Sequence, residues 1–222
     1  MADNADKELR VLQLRFIGKI LAGFTHESRN YLAIIKESAG LVGDMMQLGK
    51  SIEESADQYL ETIRSIEDQV ERSTRHCKYL SRFSHRMDIE FSSFACNDLM
   101  EELMALVHRF ANQKRIELAA DFQQDLPDIY GNPSLIQFLV FGFLEKNLME
   151  LAQKSRLVIR TESAGGPVAI SIISEGAPLD AGGEKTEFPF EVYNGVAKRL
   201  GGTISIGEGR VTFTLPVKAP NV

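Results

Sequence analysis

The hydrophobic positions within residues 8–48 recur with the spacing of one long amphipathic helix. At about 100° per residue, the apolar side chains form a broad stripe along one face. His26 lies nearly opposite the centre of this stripe, so the pattern predicts an imidazole that is presented to solvent. Ala22 and Ala33, on either side of it, leave room for the surface of a partner. The stripe consists of Ile17, Ile20, Leu21, Phe24, Tyr31, Ile34, Ile35, Val42, Met45 and Met46.

A second helical pattern follows a predicted turn near residues 48–51. Its apolar and small residues alternate at spacings of four and three, which is typical of a coiled-coil or bundle helix. The short connection predicts an antiparallel hairpin. Because two helices leave much of the first stripe uncovered, we predict a homodimer that forms a four-helix bundle. The alternative is a monomer whose stripe packs on the rest of the chain. The heptad positions are Ile52, Ala56, Tyr59, Ile63, Ile66, Val70, Ser73, Cys77 and Leu80.

The heptad pattern stops near residues 84–90, which predicts two domains, residues 1–88 and residues 89–222. In the second domain, Asn97 is the predicted cap of one helix and Asn132 with Pro133 begins another. Three helices and a mostly antiparallel sheet predict a two-layer α/β sandwich, so the chain as a whole is α+β. The predicted helices are 97–113, 133–153 and 190–200, and the predicted strands are 91–94, 115–122, 156–161, 168–174, 203–206 and 210–215.

Composition excludes several functional classes. The net charge is -6 and the pI is about 5.3, which argue against a nucleic-acid or anionic membrane surface. The longest apolar runs, such as 135–144, are too short to span a bilayer, and residues 1–10 lack the apolar core of a signal peptide. Cys77 and Cys96 suggest no disulfide framework, and we expect both to be small buried side chains. We therefore expect a cytoplasmic protein with no membrane or nucleic-acid partner.

The adjacent pair His26 and Glu27 is the strongest candidate for chemistry. An exposed imidazole is a nucleophile near neutral pH, and a neighbouring carboxylate can orient the ring or take the proton from its other nitrogen. A zinc-protease motif would need a second histidine at position 30, where Asn30 stands, so no metal site is predicted. The alternative interpretation is an ordinary exposed histidine. The other three histidines have no carboxylate next to them in sequence and are interpreted as structural.

Residues 24–32 resemble the phosphoacceptor box of sensor histidine kinases, in which His-Glu is followed by Arg-Asn or Arg-Thr and then Pro-Leu. Tyr31 stands where the proline usually is, so we expect the helix to continue without the usual kink. The predicted hairpin is similar to the dimerisation and phosphotransfer domain of these kinases. Residues 91–217 resemble their ATP-binding domain in the order and spacing of elements, and the resemblance therefore covers almost the whole chain.

The nucleotide-binding positions depart from that family. Two helix asparagines that hold magnesium and phosphate in the kinases fall at Phe141 and Glu145, with Asn147 near by. The aspartate that reads adenine falls at Ser174. We expect Phe138, Phe141 and Phe143 to form core where the nucleotide would have been.

Two further departures lie before the last helix. The glycine-rich loop is replaced by Glu-Phe-Pro-Phe at residues 187–190, where proline lacks an N–H group and the carboxylate would repel a triphosphate. Residues 177–185 are too few for the usual lid. All these departures act against ATP binding. The chain in this respect resembles the dimeric histidine phosphotransferases of phosphorelays, which keep the kinase architecture around a vestigial nucleotide domain.

The resemblance implies reversible phosphoryl transfer between His26 and an aspartate of a response-regulator receiver domain, without ATP. His26 would be the nucleophile, Glu27 would orient the ring and stabilise its cation, and Asn30 would hydrogen-bond the phosphoryl oxygens or a water. No cofactor is expected in this chain, because the receiver would supply magnesium. The alternatives are a sensor histidine kinase core with residual ATP-dependent autophosphorylation and a non-catalytic dimeric scaffold.

Four residues on the outer face of the first helix are the predicted partner-binding surface. Arg15 and Lys19 would offset the charge of the phosphoryl group, and Ala22 and Ala33 would allow close approach of the receiver. For Arg15, a solvated helix face is the stronger alternative.

Overall fold

The structure is a computed structural model, and it consists of a helical hairpin followed by an α/β sandwich. This architecture confirms the predicted α+β class. The described residues are 2–48, 55–163, 166–176 and 188–217. The helices are α1 (Ala2–Gln47), α2 (Ala56–Met87), α3 (Cys96–Lys114), α4 (Pro133–Glu150) and α5 (Phe190–Arg199). The strands are β1 (Ser92–Phe94), β2 (Glu117–Phe122), β3 (Ile129–Gly131), β4 (Arg156–Ser163), β5 (Val168–Glu175), β6 (Thr203–Gly207) and β7 (Arg210–Leu215).

The two long helices run antiparallel, as predicted. Contacts along the pair proceed in opposite directions, from Phe16 with Phe83 to Phe24 with His76. α1 is continuous through Tyr31, which agrees with the absence of the usual proline there. Of the predicted turn at 48–51, only residue 48 lies within the described residues, and heptad position 52 also lies outside them.

The buried face of α2 differs from the predicted heptad row. Ile63 and Val70 are 43% and 49% exposed, and Cys77 is exposed rather than buried, whereas Cys96 is buried as expected. Heptad position Tyr59 is buried as predicted, and Ile66, Ser73 and Leu80 are half-buried. The alternate heptad positions 63, 70 and 77 face solvent, and the residue before each of them is buried instead. The buried residues of α2 are Tyr59, Thr62, Gln69, His76 and Phe83.

The second half is a five-stranded sheet in the order β2-β4-β5-β7-β6, with β1 and β3 paired separately. Only β2 and β4 are parallel in the five-stranded sheet, and its other neighbours are antiparallel. Alternate residues of the central strands are fully buried on the face that packs with the helices. These residues include Leu157, Ile159, Val168, Ile170, Ile172, Phe213 and Leu215.

Helix α3 begins one residue earlier than predicted. Ala95 occupies the N-cap position and Cys96 is the first helical residue, so Asn97 does not cap the helix. The Asn97 side chain instead donates to the carbonyl oxygen of Gln123 and accepts from the hydroxyl of Thr161. The residue therefore ties the start of α3 to the sheet.

Helix α4 begins as predicted. The side-chain oxygen of Asn132 accepts a hydrogen bond from the backbone N–H of Leu135 at 3.0 Å, and Pro133 occupies the first turn. The first turn of a helix has backbone N–H groups without partners in the helix. The Asn132 side chain pairs one of them, and Pro133 has no N–H group to pair. The body of the helix is apolar nearly all round, which indicates contacts on several sides.

The hairpin packs directly on the helices of the sandwich. The Phe16 ring lies 6.0 Å from that of Phe138 and 4.7 Å from that of Phe141, measured between ring centroids. At the end of α2, Arg86 donates to the fully buried carboxylate of Glu102 at 3.1 Å. The hairpin and the sandwich thus share one continuous core. The boundary predicted between residues 88 and 89 stays a prediction. None of the helices in the described ranges is both long and apolar enough to cross a bilayer.

Candidate functional site

His26 lies on the solvent-exposed side of α1. Its Nδ1 atom is 3.3 Å from the side-chain nitrogen of Asn30, one helical turn further on. Ala22 and Ala33, the two small residues predicted to flank it, are also exposed. The imidazole is therefore open to an approaching partner and is contacted on one side by an amide.

The Glu27 carboxylate faces the second domain. Its Oε1 atom lies 3.8 Å from Nε of Arg109 on α3, and the two side chains are 27% and 14% exposed. The Nε group of Arg109 is buried without a hydrogen-bond partner. Glu27 therefore forms an ion pair between α1 and α3, whereas the adjacent His26 faces solvent. The Glu27 carboxylate forms neither a hydrogen bond nor an ion pair with the adjacent His26 ring.

Arg15 and Lys19 lie near the sandwich. Lys19 forms an ion pair with Glu145 on α4. Burial and the nearby Glu145 raise the pKa of Tyr193 to about 12, and the charge of Arg15 opposes that rise. Lys19 is thus engaged with the second domain, while Arg15 is exposed. Of the four predicted partner-binding residues, Ala22, Ala33 and Arg15 lie on open surface.

Phe141 and Glu145, predicted at the positions of the two kinase asparagines, face the hairpin. Phe141 is buried against Phe16, and Glu145 forms its ion pair with Lys19. Helix α1 therefore covers this side of α4 with one aromatic and one charged contact.

The side chains of Ser174, predicted at the adenine-reading position, and of Asn147, near the predicted asparagine positions, are hydrogen-bonded to each other. The Ser174 hydroxyl donates to the side-chain oxygen of Asn147 at 2.7 Å. The Asn147 side-chain nitrogen donates to the carbonyl oxygen of Phe143 at 2.8 Å. The side-chain amide of Asn147 is thus engaged at both its oxygen and its nitrogen.

Aromatic rings fill the space between α4 and α5. Phe143 packs edge-on against Phe188 at 4.7 Å, and Phe188 stacks on Tyr193 at 5.0 Å between centroids. A methyl group at Gly142 would overlap the Tyr193 ring, so the absence of a side chain there allows the ring to fit. Phe188 and Phe190, from the loop that replaces the glycine-rich segment, join this cluster. The predicted short lid at 177–185 and residue 187 lie outside the described residues.

His76 was not identified from the sequence as more than a structural residue. Its ring is 7% exposed, stacks on Phe24 at 5.0 Å between centroids, and has a buried Nε2 without a hydrogen-bond partner. Burial lowers the pKa of His76, and the negative charge of Glu27 acts in the opposite direction. The residue lines a cavity of about 460 Å³ between the hairpin and the sandwich. The sequence indicated this location only through the position of His76, one residue before heptad position 77.

Arg109 was missed for a different reason. It belongs to an amphipathic helix far from Glu27 in the chain, and no local pattern links the two residues. Across the described part of the chain, no three histidine, cysteine or acidic side chains cluster in a way that could hold a metal ion.

Comparison with known proteins extends this picture, although no protein-family model matches the chain. The sensor histidine kinase ZraS of Escherichia coli (strain K12) is 24% identical over an alignment of 226 positions, which covers 95% of this chain and 47% of that kinase. The histidine-protein kinase AtoS of the same strain is 24% identical over 195 residues, 87% of this chain and 31% of its own length. The chain is homologous to sensor histidine kinases. The chain spans about half or less of the length of those relatives.

The cell-division control histidine kinase PdhS of Brucella anthropi gives a similar match. It is 23% identical over 184 residues, 82% of this chain and 17% of that kinase. A solved structure, histidine kinase ThkA in complex with the response regulator protein TrrA, matches with a TM-score of 0.50 and 16% identity. That match covers 98% of this chain and 66% of the other. The histidine-kinase fold of hairpin and sandwich is thus shared along nearly the whole chain.

Proposed function

We propose that this histidine-kinase-like protein is a histidine phosphotransferase of a phosphorelay. His26 would accept a phosphoryl group from an aspartyl phosphate on a receiver domain and return it to such an aspartate, without binding ATP. The observation that carries the proposal is a contrast within α1. Its outer face presents an open histidine, while its inner face covers the side of α4 that would otherwise serve a nucleotide.

The contacts of α4 support the absence of ATP binding. A bound magnesium triphosphate needs oxygen or amide ligands and compensating positive charge. Here Phe141 supplies a ring packed on Phe16, and Glu145 supplies a negative charge already paired with Lys19. The aromatic cluster of Phe143, Phe188 and Tyr193 occupies the neighbouring space.

The proposed chemistry needs one nucleophilic nitrogen and an in-line donor. The imidazole lone pair forms the P–N bond as the P–O bond to the receiver aspartate breaks, and that electron pair leaves with the carboxylate. Such a loose transition state requires positioning and charge compensation more than covalent help. Magnesium would come with the receiver, and no cofactor of this chain takes part. The predicted orienting role of Glu27 is not part of this proposal, because its carboxylate is directed at Arg109.

The proposed assembly is a cytoplasmic homodimer. An apolar row on the outside of the hairpin would form the centre of a four-helix bundle, because exposed apolar surface of this extent is characteristic of interfaces. The proposed receiver would bind near His26, where Ala22 and Ala33 leave open surface. The exposed apolar side chains of the row include Leu14, Leu21, Leu32, Leu60, Ile63 and Val70.

A second candidate is ATP-dependent autophosphorylation of His26. It is favoured by the similarity of the chain to ZraS and AtoS, which are named as histidine kinases. Titration calorimetry with ATP and magnesium separates the two candidates: the phosphotransferase gives no binding heat, and micromolar binding would favour the kinase.

The test of the proposed function is transfer of labelled phosphate. Purified receiver domains, labelled with radioactive acetyl phosphate, are mixed with the wild-type chain and with His26→Ala. We expect label on the wild-type chain and none on the variant. Partner binding that survives His26→Ala without any transfer to the wild type would instead indicate a scaffold.

A further inference from the structure

The two-stranded ribbon of β1 and β3 has one buried face and one open face. Phe94 and Ile129 lie opposite each other in its register and are both buried. The next pair in the register, Ser93 and Tyr130, is exposed. Because side chains alternate between the two faces of an extended chain, Phe91, two residues before Ser93, belongs to the open face as well. We call this open face the outer face of the ribbon.

Two aromatic rings stack on the outer face. The ring centroids of Phe91 and Tyr130 are 6.2 Å apart and the ring planes differ by 19°. The two residues nevertheless remain 55% and 49% exposed, and Ile89, shortly before them in the chain, is 45% exposed. Single exposed apolar residues are common on protein surfaces, whereas a stacked aromatic pair that stays half exposed is typical of a binding surface.

The surroundings of these rings are acidic. The two chain segments that carry them, 87–107 and 116–145, contain no lysine or arginine. Asp88, Glu90 and Asp128 are exposed, and the Ser93 hydroxyl donates to the Asp128 carboxylate at 3.4 Å. Within the described ranges, none of these three carboxylates forms an ion pair with a cationic side chain. The charge of the outer face therefore favours a positively charged partner.

The buried side of the same ribbon indicates which cation suits it. The Cζ atom of Arg86 lies 6.0 Å from the centroid of the Phe94 ring, and its Nε donates to the Glu102 carboxylate at 3.1 Å. One arginine thus contacts both a ring and a carboxylate. A guanidinium group is planar, stacks on aromatic rings and donates several N–H groups in a fixed plane, whereas a lysine ammonium is a compact point charge. The outer face offers the same two kinds of group.

We propose that the outer face of the ribbon is a docking surface for an arginine-presenting segment of a partner protein. A guanidinium group of that segment stacks on the rings of Phe91 and Tyr130, and Asp128 supplies the counter-charge. The outer face belongs to β1 and β3, whereas His26 lies on α1, so the proposal does not rest on phosphoryl transfer.

Nuclear magnetic resonance titration of the full chain tests the proposal with a defined probe. The probe is a blocked peptide of four arginines, and the corresponding lysine peptide is the comparison. We expect changes in amide chemical shift that are confined to residues 88–93 and 128–131. The arginine peptide should bind more tightly than the lysine peptide, because an ammonium group cannot stack flat on a ring.

Variants separate the rings from the overall negative charge. Phe91→Ser/Tyr130→Ser should lower the affinity for the arginine peptide by about tenfold, because both stacking surfaces are lost. Asp128→Asn should lower it less. Two matched controls remove an exposed apolar side chain and an exposed carboxylate elsewhere, at Ile206→Ser and Glu208→Gln, and each should keep the affinity within about twofold.

Three results would each overturn the proposal. They are shift changes spread over the whole acidic surface, equal affinities for the arginine and lysine peptides, and an unchanged affinity in the double serine variant. An absence of binding at millimolar peptide would overturn it too. The amide spectrum of each variant verifies that it is folded, and none of these measurements depends on whether the chain transfers phosphate.

Discussion

Glu102 is a fully buried carboxylate whose neighbours neutralise it. Arg86, at the end of α2, donates to both of its oxygens, and the side-chain nitrogen of Gln137 donates to Oε1 at 2.8 Å. The arrangement joins the last turn of the hairpin to α3 and α4. A buried charge that is paired in this way is costly to disrupt from one side, because the remaining partner is left without compensation.

Replacement of Glu102 by alanine should therefore destabilise the protein by about 3–5 kcal/mol. The loss comes from the guanidinium of Arg86, which is 19% exposed and would lose its counter-charge. Urea denaturation measures the change in the free energy of unfolding. Glu101→Ala, at the exposed neighbouring position, should change it by no more than about 0.5 kcal/mol. Equal effects of the two substitutions would contradict this account of the pair.

Glycine substitutions test the packing of the aromatic cluster. Gly142→Ala should destabilise the protein by about 1–3 kcal/mol, because the added methyl group would overlap the Tyr193 ring. Gly18→Ala, where no atom lies within 4 Å of the new methyl group, should stabilise the helix by about 0.5–1 kcal/mol. Thermal unfolding of the two variants should therefore shift in opposite directions. A shift in the same direction would mean that the α4–α5 contact is looser than described.

At the scale of the elements, α2 has two distinct rows. The row that faces α1 contains polar residues such as Gln69 and the stacked ring of His76. The adjacent row contains Ile63 and Val70, which remain nearly half exposed in the single chain. Apolar side chains that stay exposed in a row beside buried polar ones are typical of a helix face that a second surface covers.

The double variant Ile63→Glu/Val70→Glu should consequently give a monomer, because four like charges would meet in the proposed two-fold interface. Sedimentation equilibrium measures the mass in solution. The matched double variant Arg64→Glu/Lys78→Glu, at exposed positions outside the apolar row, should remain dimeric. A wild-type protein that sediments as a monomer would contradict the dimer directly.

Local periodicity predicted most elements, because helices and strands impose their spacing on neighbouring residues. The start of α4 at Asn132 and Pro133 followed from cap chemistry alone. Half of the heptad pattern of α2 was wrong: Tyr59 is buried as expected, but Ile63 and Val70 are exposed. Periodicity identifies the apolar positions but not which surface covers them. The pairs of Glu27 with Arg109 and of Lys19 with Glu145 join distant segments, and no local pattern contains them.

At the scale of the whole molecule, the hairpin and the sandwich are joined by a common core. The sequence predicts Phe141 and Glu145 at positions where the kinases it resembles have asparagines. Their contacts with Phe16 and Lys19 could not be predicted from the sequence, because they depend on how the two halves pack. The same packing that covers α4 leaves His26 on the open side of α1.

The buried ring of His76 predicts a pH dependence of stability. Because burial lowers its pKa below the ordinary value of 6.5, the unfolded chain binds more protons than the folded chain as the pH falls through that value. The contribution of His76 is therefore complete above about pH 6.5 and declines as the pH is lowered towards the folded-state pKa. His76→Phe, which keeps the stacking on Phe24, should reduce the dependence of unfolding free energy on pH between about pH 7.5 and 5.5. The exposed control His85→Asn should keep it, and an unchanged dependence in His76→Phe would contradict the prediction.

In the proposed function, His26 takes its phosphoryl group from a receiver aspartate and not from ATP. One assay compares the two donors directly: the chain is incubated either with radiolabelled phosphorylated receiver domains or with radiolabelled ATP and magnesium. We expect label on His26 from a receiver, no label from ATP, and no label on His26→Ala from either donor. Label on His26 from ATP alone, or no label from any receiver in a broad panel, would contradict this proposal.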